Sequence, residues 1–413
     1  MTTAWQRGAR LACLIFAGEA IFSLPFHVPR FFRPTLLAEF ELTNTALGDI
    51  FAVYGITAML VYFPGGILAD RYATRTLLAG SLWATAAGGL YLATIPDARG
   101  LSLLYGYWGV TTILLFWAAL IRATREWGGA LAQGRAFGLL DGGRGLVAAV
   151  LASVAVSLLA RTLAGSDNGT DLRVVIYFYA GVTFLAGVLC WWLIPACGHV
   201  TPARDRLSLS HLRQVLGESV LWLQATIVVA AYCGYKGLDY YALLAQQALG
   251  LNEIEAARWI ATTAYLRPLA AVVAGLYADR VGISRMVTGL FVTGCLAYLA
   301  AGTLNASPIL WTYANLLLTI AIVYALRGVY FALLEEARVA PALTGTAVGL
   351  ISVVGYTPDV FFAPLAGRLL DRAPGLAGFQ HVFLLLAGIF TLGCWATVLL
   401  RRQVFERQRN RAV

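Results

Sequence analysis

The chain has 413 residues, of which 60% are hydrophobic and only 12% are charged, and its formal net charge is +9. Soluble globular domains carry about 25% charged residues, so this composition, with a mean hydropathy of +0.74, excludes an ordinary soluble protein and indicates one that lies in a membrane. The six cysteines and four histidines lack the spacing of a disulfide framework or a metal site, so we expect neither of these, and no cofactor.

Twelve mostly apolar segments are long enough to span a bilayer, which takes about 20 residues of helix. In chain order we predict them at 11–37, 45–69, 76–95, 101–122, 135–160, 173–195, 216–248, 254–276, 285–303, 308–333, 342–367 and 379–400. The first segment is longer than the apolar part of a signal peptide and no cleavage site follows it, so we expect it to remain as a helix.

The polar stretch 196–215 is predicted to be a cytoplasmic linker between two related halves. The other predicted parts are an N-terminal half of six helices, 1–195, a C-terminal half of six helices, 216–403, and a basic cytoplasmic tail, 404–413. The sequence GGILADRYATR at 65–75 recurs 209 residues later as AGLYADRVGISR at 274–285. A repeated helix bundle of this kind is typical of secondary transporters.

The placement of arginine predicts how the segments are oriented. If both termini lie in the cytoplasm, then the N-terminus, the loops from even to odd segments and the tail hold 18 of the 30 Lys and Arg residues. We therefore interpret the positive charge as a topology signal facing anionic lipid, and we do not expect nucleic acid as a partner. The predicted location is a bacterial inner membrane.

The repeated G-x-x-x-D-R pattern resembles the signature loop of the major facilitator superfamily. Its residues are Gly66, Asp70, Arg71 and Arg75 in the first copy and Gly275, Asp279, Arg280 and Arg285 in the second. The first copy departs from the family pattern at Ala73, where the second keeps Gly282, so we expect a looser turn there. The resemblance implies an all-α integral membrane fold of twelve helices in two pseudo-symmetric halves, alternating access, and a gating role for these loop residues.

Two further resemblances concern the branch of the superfamily. The stretches QGRAFGLLDGGRGLV and GYTPDVFFAPLAGRLLDRAPGLAGF resemble the YihN-type bacterial transporters. The stretch YKGLDYY in the seventh segment resembles the organophosphate/phosphate antiporters, which place a cation and an aspartate about one turn apart there. This second resemblance implies an anionic substrate.

Ionisable side chains inside the apolar segments are the candidate functional residues, because one at the bilayer centre costs about 2.5–3.5 kcal/mol. Lys236 is the only lysine and lies three residues before Asp239, so the two can neutralise each other on one helix face. When the two halves are aligned with the offset of 209 residues, Lys236 is equivalent to His27 and Asp239 to Arg30. The superfamily resemblance implies that the two helices that carry these residues face each other across a central cavity. A partly desolvated lysine can hold an anion and release it. The alternative is that Lys236 does no more than pair with Asp239.

Other cations and aromatic residues extend this predicted substrate site. The predicted substrate-binding residues are Lys236, Arg267, Arg327, His27, Arg30, Asp239, Tyr232, Tyr240 and Tyr265. Arg30 could instead mark the outer mouth, and Arg327 could instead reach the lipid headgroups or pair with Glu335. Asp141 and Arg144 are predicted to form a structural pair where glycines let the fifth segment pack closely.

Three carboxylates are candidate proton carriers: Glu19, Asp359 and Asp239. Glu19 and Asp359 lie in apolar runs without an adjacent basic residue, which predicts unpaired carboxyl groups. The alternative is that each is a protonated carboxyl hydrogen-bonded to a neighbouring helix.

These features together predict a secondary transporter of a small organic anion, coupled to a proton or to exchange of another anion. The expected partners are this substrate, the coupling ion and the lipid bilayer, and we expect a monomer. The alternative is a proton-driven exporter of hydrophobic or cationic compounds, in which the three carboxylates would attract the cation. We do not expect an enzyme or an ATP-driven pump, because the P-loop, G-x-S-x-G and H-E-x-x-H motifs are absent. We do not expect a receptor either, because the chain has no large soluble region.

Overall fold

The computed structural model describes residues 4–129, 133–165, 171–196, 216–303, 309–333, 349–373 and 375–411. Within these residues the chain is helical and contains no β-strand. The helices are α1 Ala4–Ala20, α2 Val28–Phe31, α3 Arg33–Glu39, α4 Asn44–Arg71, α5 Thr74–Leu92, α6 Ala98–Gly109, α7 Ala118–Gly128, α8 Gln133–Gly165, α9 Leu172–Leu193, α10 Ser219–Gly237, α11 Tyr241–Leu249, α12 Glu253–Thr263, α13 Leu266–Val281, α14 Ile283–Thr303, α15 Ile309–Val329, α16 Pro358–Arg372 and α17 Leu376–Arg411. In its described residues, each of the twelve predicted segments overlaps with one of these helices or with two or three in succession, and residues 308 and 342–348 of the tenth and eleventh segments lie outside the described part of the chain.

The described helices are suited to a membrane in both length and surface. Nine of the described spans are long and apolar enough to cross a bilayer, and the bent pair Trp5–Ala20 with Ser23–Phe31 would be a tenth. Large apolar side chains lie on their outer surfaces: Leu60 is 73% exposed, Leu103 76% and Leu310 76%. Exposure of this extent marks a surface that meets lipid. The predicted all-helical membrane fold is therefore confirmed.

The chain forms two compact units, whose bounds differ from the predicted halves. The first unit comprises Met1–Thr201, Asp239–Tyr265 and Ala363–Gly367, and the second comprises Pro202–Leu238, Leu266–Phe362 and Arg368–Val413. Two pieces of the predicted C-terminal half, 239–265 and 363–367, therefore pack within the first unit. The predicted linker lies outside the described residues apart from Ala196, and the tail continues α17 as far as Arg411.

Two helical spans are broken where an ionisable residue lies. Pro25 and Pro29 lack the amide hydrogen that a regular helix uses, and the first span passes from α1 through a π-helical turn, Ser23–His27, into α2 with a bend of 43°. The seventh span passes from α10 into α11 through a 3₁₀ turn, Leu238–Tyr240, directly after Gly237. The breaks place His27 and Asp239 at irregular backbone in the middle of two spans.

The two copies of the repeated loop differ in backbone conformation. Ala73 has φ −62° and ψ 131°, an extended conformation that any residue adopts. Gly282, at the matching position of the second copy, has φ +91°, which favours glycine because a side chain is strained there. The turn of the first copy therefore needs no residue with a positive φ at this position, so Ala73 can stand where the family pattern has glycine.

Candidate substrate site

The second unit holds a cluster of half-buried charges and aromatic rings around the buried Lys236. The Lys236 side chain is only 2% exposed, and its Nζ lies 3.3 Å from Oδ1 of Asp359. The Tyr232 hydroxyl lies 3.1 Å from each oxygen of the same carboxylate and donates to it. The Arg327 guanidinium lies over the Tyr235 ring, 4.0 Å from its centre. These five residues are called the lysine cluster below.

Helix geometry explains how the lysine cluster is assembled. Tyr232, Tyr235 and Lys236 share one face of α10, because residues three and four apart are neighbours on a helix. Asp359 lies in the first turn of α16 and Arg327 in the last turn of α15, where the helix dipole favours a negative and a positive charge respectively. The Tyr232 and Tyr235 rings stack 5.8 Å apart. The cluster thus combines two cations, one carboxylate and an aromatic wall.

The structure gives these charges partners on other helices. The sequence suggests that Lys236 and Asp239 can neutralise each other, and the structure adds a partner for each, Asp359 for Lys236 and Arg30 for Asp239. Asp359 is predicted to be unpaired, and that prediction is wrong, because it has Lys236 and Tyr232 as partners. The prediction fails because spacing along one helix does not show which side chain a neighbouring helix presents.

The first unit holds a second cluster around Glu19, which is 3% exposed. Its Oε1 lies 3.1 Å from Nε2 of His27, and Nε of Arg144 donates to its Oε2 at 3.0 Å. The Arg144 guanidinium also lies 5.6 Å from the centre of the Phe22 ring and 5.8 Å from that of Trp117. Glu19, His27 and Arg144 are called the glutamate cluster below.

The glutamate cluster corrects the prediction that Glu19 is unpaired. Glu19 is held between a histidine from its own span and an arginine that lies 125 residues away in the sequence. Arg144 therefore has Glu19 as its ion-pair partner, while Asp141, its predicted partner, is half-buried one turn earlier on α8. Nδ1 of His27 is buried and has no hydrogen-bond partner among the described residues.

A third buried pair lies one turn beyond His27. Nε of Arg30 lies 2.5 Å from Oδ1 of Asp239, so two residues related by the repeat offset of 209 are in direct contact. The Arg33 guanidinium is fully buried, lies 4.1 Å from the centre of the Tyr240 ring, and its Nε donates to Oδ1 of Asn44 at 3.1 Å. From the sequence, Arg33 is interpreted only as a residue that could mark the outer mouth together with Arg30, and it is not among the predicted substrate-binding residues.

The remaining predicted substrate residues lie in different surroundings. Arg267 is 7% exposed on α13 of the second unit. The Tyr240 hydroxyl donates to the Ala363 carbonyl oxygen at 3.1 Å. Tyr265 is 41% exposed, and its hydroxyl lies 3.3 Å from Oγ of Ser153. Tyr265 therefore lies at the surface of the first unit, and its role in substrate binding stays a prediction.

The predicted gating residues lie at helix ends. The described side chains Asp70, Arg71, Arg280 and Arg285 are exposed. The Arg75 guanidinium lies over the Trp191 ring, 4.4 Å from its centre. Methyl groups added at Gly66 and Gly275 would meet open space among the described residues, and the side chain of Asp279 lies outside them. The gating role of this set stays a prediction.

The described residues include no group of three His, Cys, Asp or Glu side chains that could hold a metal ion. The two clusters contain guanidinium, ammonium, carboxylate, imidazole and phenol groups. Such groups can bind a charged organic molecule and exchange protons or ion-pair partners with it.

Comparison with known proteins gives a consistent result. Residues 13–363 match the Major Facilitator Superfamily. The inner membrane protein YqcE of Escherichia coli (strain K12) is 28% identical over 94% of this chain and 93% of its own length. The inner membrane protein YihN of the same organism is 27% identical over 98% of both chains.

Two solved structures show the same fold. A bacterial homologue of the human lysosomal transporter Spinster, in an inward-facing and unoccupied conformation, is similar with a TM-score of 0.76 at 13% identity over 98% of both chains. The nucleoside transporter NupG is similar with a TM-score of 0.67 at 13% identity, over 95% of this chain and 98% of its own. At these identities the likeness concerns the fold alone.

Proposed function

The chain belongs to the Major Facilitator Superfamily of membrane transporters, and we propose that its substrate is a small organic anion: a carboxylate, a phosphate ester or a sulfonate. We propose transport by alternating access across a bacterial inner membrane, since the relatives YqcE and YihN are inner membrane proteins. The cytoplasmic position of both termini is part of this proposal.

The observation that supports an anionic substrate is that the lysine cluster brings together two cations, the buried Lys236 and the half-buried Arg327, with only one carboxylate, that of Asp359. Ionisable groups inside a membrane protein usually mark the path of a substrate or an ion. Lys236 is held against Asp359, and Arg327 lies on the face of Tyr235. An anion that enters this cluster would lie near two cations and could replace Asp359 as the partner of Lys236.

The tyrosines of the cluster suit the organic part of such an anion. The stacked rings of Tyr232 and Tyr235 offer an apolar face to a carbon skeleton, while a phenolic hydroxyl can donate to an anionic oxygen. The Tyr232 hydroxyl already donates to the Asp359 carboxylate. We therefore propose that the substrate takes over both contacts of Asp359 when it binds.

A ligand screen by thermal unfolding of the purified protein tests the proposal. Carboxylates, phosphate esters and sulfonates are added in turn, and the class that binds should raise the unfolding temperature, because a ligand of the folded state stabilises it by mass action. Lys236→Ala should abolish that rise, since removing one partner of a buried charge pair costs about 3–5 kcal/mol. Lys236→Arg should give an intermediate rise, because it keeps the charge but not the shape.

The matched control is Arg401→Gln, which removes a positive charge from an exposed position on α17 and should respond to the anion as the wild type does. Arg327→Gln serves as the second test variant if Lys236→Ala does not fold. An anion-dependent rise that survives in both cluster variants would contradict the proposal. A rise in the unfolding temperature with hydrophobic cations and not with anions would favour the alternative function, a proton-driven exporter of hydrophobic or cationic compounds.

Coupling to a proton or to a second anion is tested once the substrate is known. We propose that if Glu19 carries the coupled proton, Glu19→Gln in proteoliposomes loses uptake driven by a pH gradient but keeps counterflow exchange, which needs no net proton movement. Asp359→Asn tests the second carboxylate in the same way. If both variants keep gradient-driven uptake, exchange of anions is the coupling mechanism.

A further inference from the structure

A groove of about 1000 Å³ lies between α4 and α6 on the surface of the first unit. Its walls are mostly apolar, and Leu103 at its edge is 76% exposed. Since large exposed apolar side chains on a membrane-spanning helix face lipid, the groove opens towards the hydrocarbon of the bilayer. It is separate from the lysine and glutamate clusters, and the proposed transport function does not use it.

The two helices that form the groove run in the same direction. A methyl group added at Gly106 would lie 3.5 Å from Cγ1 of Val53. Further along, Nε1 of Trp117, at the end of the π-helical turn Val110–Trp117 that continues α6, donates to the Tyr62 hydroxyl of α4. Residues later in one helix contact residues later in the other, so the two helices are parallel and their first turns lie at the same end of the groove. The lining stretch 46–57 is about 16 Å long at 1.5 Å per residue. That length is close to one leaflet of a hydrocarbon core roughly 30 Å thick.

Both charged residues of the groove lie at the end where the two helices begin. Asp49 lies in the second turn of α4 and Arg99 in the first turn of α6, and both are exposed. The rest of the lining is apolar or carries uncharged polar groups. One carboxylate and one guanidinium at the headgroup level, above an apolar channel one leaflet deep, complement a molecule with an ammonium group, a phosphate and a hydrocarbon chain.

We propose that this groove is a specific binding site for phosphatidylethanolamine. Arg99 binds the phosphate, since a guanidinium matches phosphate oxygens in a bidentate geometry. Asp49 accepts hydrogen bonds from the primary ammonium group of the headgroup. Phosphatidylcholine has no N–H to donate, and phosphatidylglycerol has no cation, so the carboxylate distinguishes the three lipids.

The acyl chain lies along the floor of the groove at Gly106. The nearest side-chain atoms to a methyl group added there are Cγ1 of Val53 at 3.5 Å and Oγ1 of Thr57 at 3.7 Å, which are ordinary contact distances. A larger side chain at this position would therefore project into the groove without striking backbone. Gly106→Leu should therefore block the path of the acyl chain and leave the contacts of Arg99 and Asp49 with the headgroup in place.

Native mass spectrometry of the purified full chain in detergent tests the proposal, with each of the three phospholipids added separately. The wild type should bind phosphatidylethanolamine more tightly than the other two. Gly106→Leu and Arg99→Gln should each weaken this binding by about tenfold, the loss expected from one charge-assisted contact or its equivalent in packing. Asp49→Asn should bind phosphatidylethanolamine and phosphatidylcholine equally.

Two control variants match these changes away from the groove. A methyl group added at Gly80 on α5 meets open space, so Gly80→Leu places the same side chain on an exposed position elsewhere. Arg161→Gln removes an exposed arginine near the end of α8. Both should bind lipid as the wild type does. Equal binding of the three lipids by the wild type, or no loss in Gly106→Leu, would overturn the proposal. So would a dimer that dissociates in Gly106→Leu, because the occupant would then be a second copy of the chain.

Discussion

At the scale of single residues, the buried charges of this transporter are paired across helices. Glu19 and Arg144 are 125 residues apart in the sequence, and Arg30 and Asp239 are 209 apart. Replacing one partner of such a pair leaves an uncompensated charge in a medium that solvates it poorly. These pairs therefore make the packing of their helices depend on single side chains.

We expect Glu19→Gln to lower the free energy of unfolding by about 3–5 kcal/mol, because it leaves the Arg144 guanidinium, whose side chain is only 11% exposed, beside a neutral amide. Glutamine keeps the shape of glutamate and can still form a hydrogen bond with His27. The decrease in the free energy of unfolding therefore measures the contribution of the negative charge. Unfolding in mixed micelles of mild and denaturing detergent measures it.

The control for this variant is Glu406→Gln, which removes an exposed carboxylate near the end of α17. A surface change of this kind should alter the free energy of unfolding by less than about 0.5 kcal/mol. If Glu19→Gln and Glu406→Gln had the same effect, the pair in the glutamate cluster would contribute nothing to stability.

At the scale of structural elements, the repeated loop shows that two similar sequences can turn the chain in different ways. Ala73 has an extended conformation at the turn of the first copy, and Gly282 has a positive φ at the turn of the second. In the second copy the amide of Gly282 also donates to the Ala278 carbonyl oxygen at 2.9 Å, which ends α13. Glycine is therefore required at one of these two matching positions and not at the other.

We expect Gly282→Ala to destabilise the protein by about 1–2 kcal/mol, the cost of a left-handed conformation for a residue with a side chain. The reciprocal change, Ala73→Gly, should cost less than about 1 kcal/mol, because it only adds freedom to the unfolded chain. Thermal unfolding of the two variants under identical conditions makes the comparison. A larger loss in Ala73→Gly would show that the first copy also needs its present backbone.

At the scale of the whole molecule, the composition and the repeat indicated a secondary transporter, and the repeated G-x-x-x-D-R loop resembles that of the major facilitator superfamily; the match over residues 13–363 confirms the family. The resemblance to the YihN-type branch is confirmed by 27% identity to YihN over 98% of both chains. The resemblance to organophosphate/phosphate antiporters stays a prediction, as does the orientation of the chain in the membrane.

The orientation is tested by reporter fusions at successive connections. Alkaline phosphatase, which is active only outside the cytoplasm, should be active when fused after Asp97 and inactive when fused after Ala73. Green fluorescent protein fused to the C-terminus should be fluorescent. We expect this result because arginine is concentrated on the side that holds both termini. The opposite pattern would invert the predicted topology.

Most of the candidate site residues could be found from the sequence one at a time. Lys236, Arg327 and Asp359 are conspicuous because a charged residue in a long apolar run is costly and therefore informative. Their partners could not be found in the same way. Lys236, which pairs with Asp359, lies on α10 more than a hundred residues earlier, and no local pattern records that contact.

The amino-acid sequence alone was enough to predict the all-helical membrane fold and the repeat, because each depends on hydrophobicity or similarity along a local stretch. The tertiary structure alone decided the ion pairs of Glu19 and Asp239, and the packing of 239–265 and 363–367 within the first unit. A side chain pairs with whatever charge a neighbouring helix presents. Which helices are neighbours follows from packing between distant stretches, so spacing along one helix could not reveal these partners.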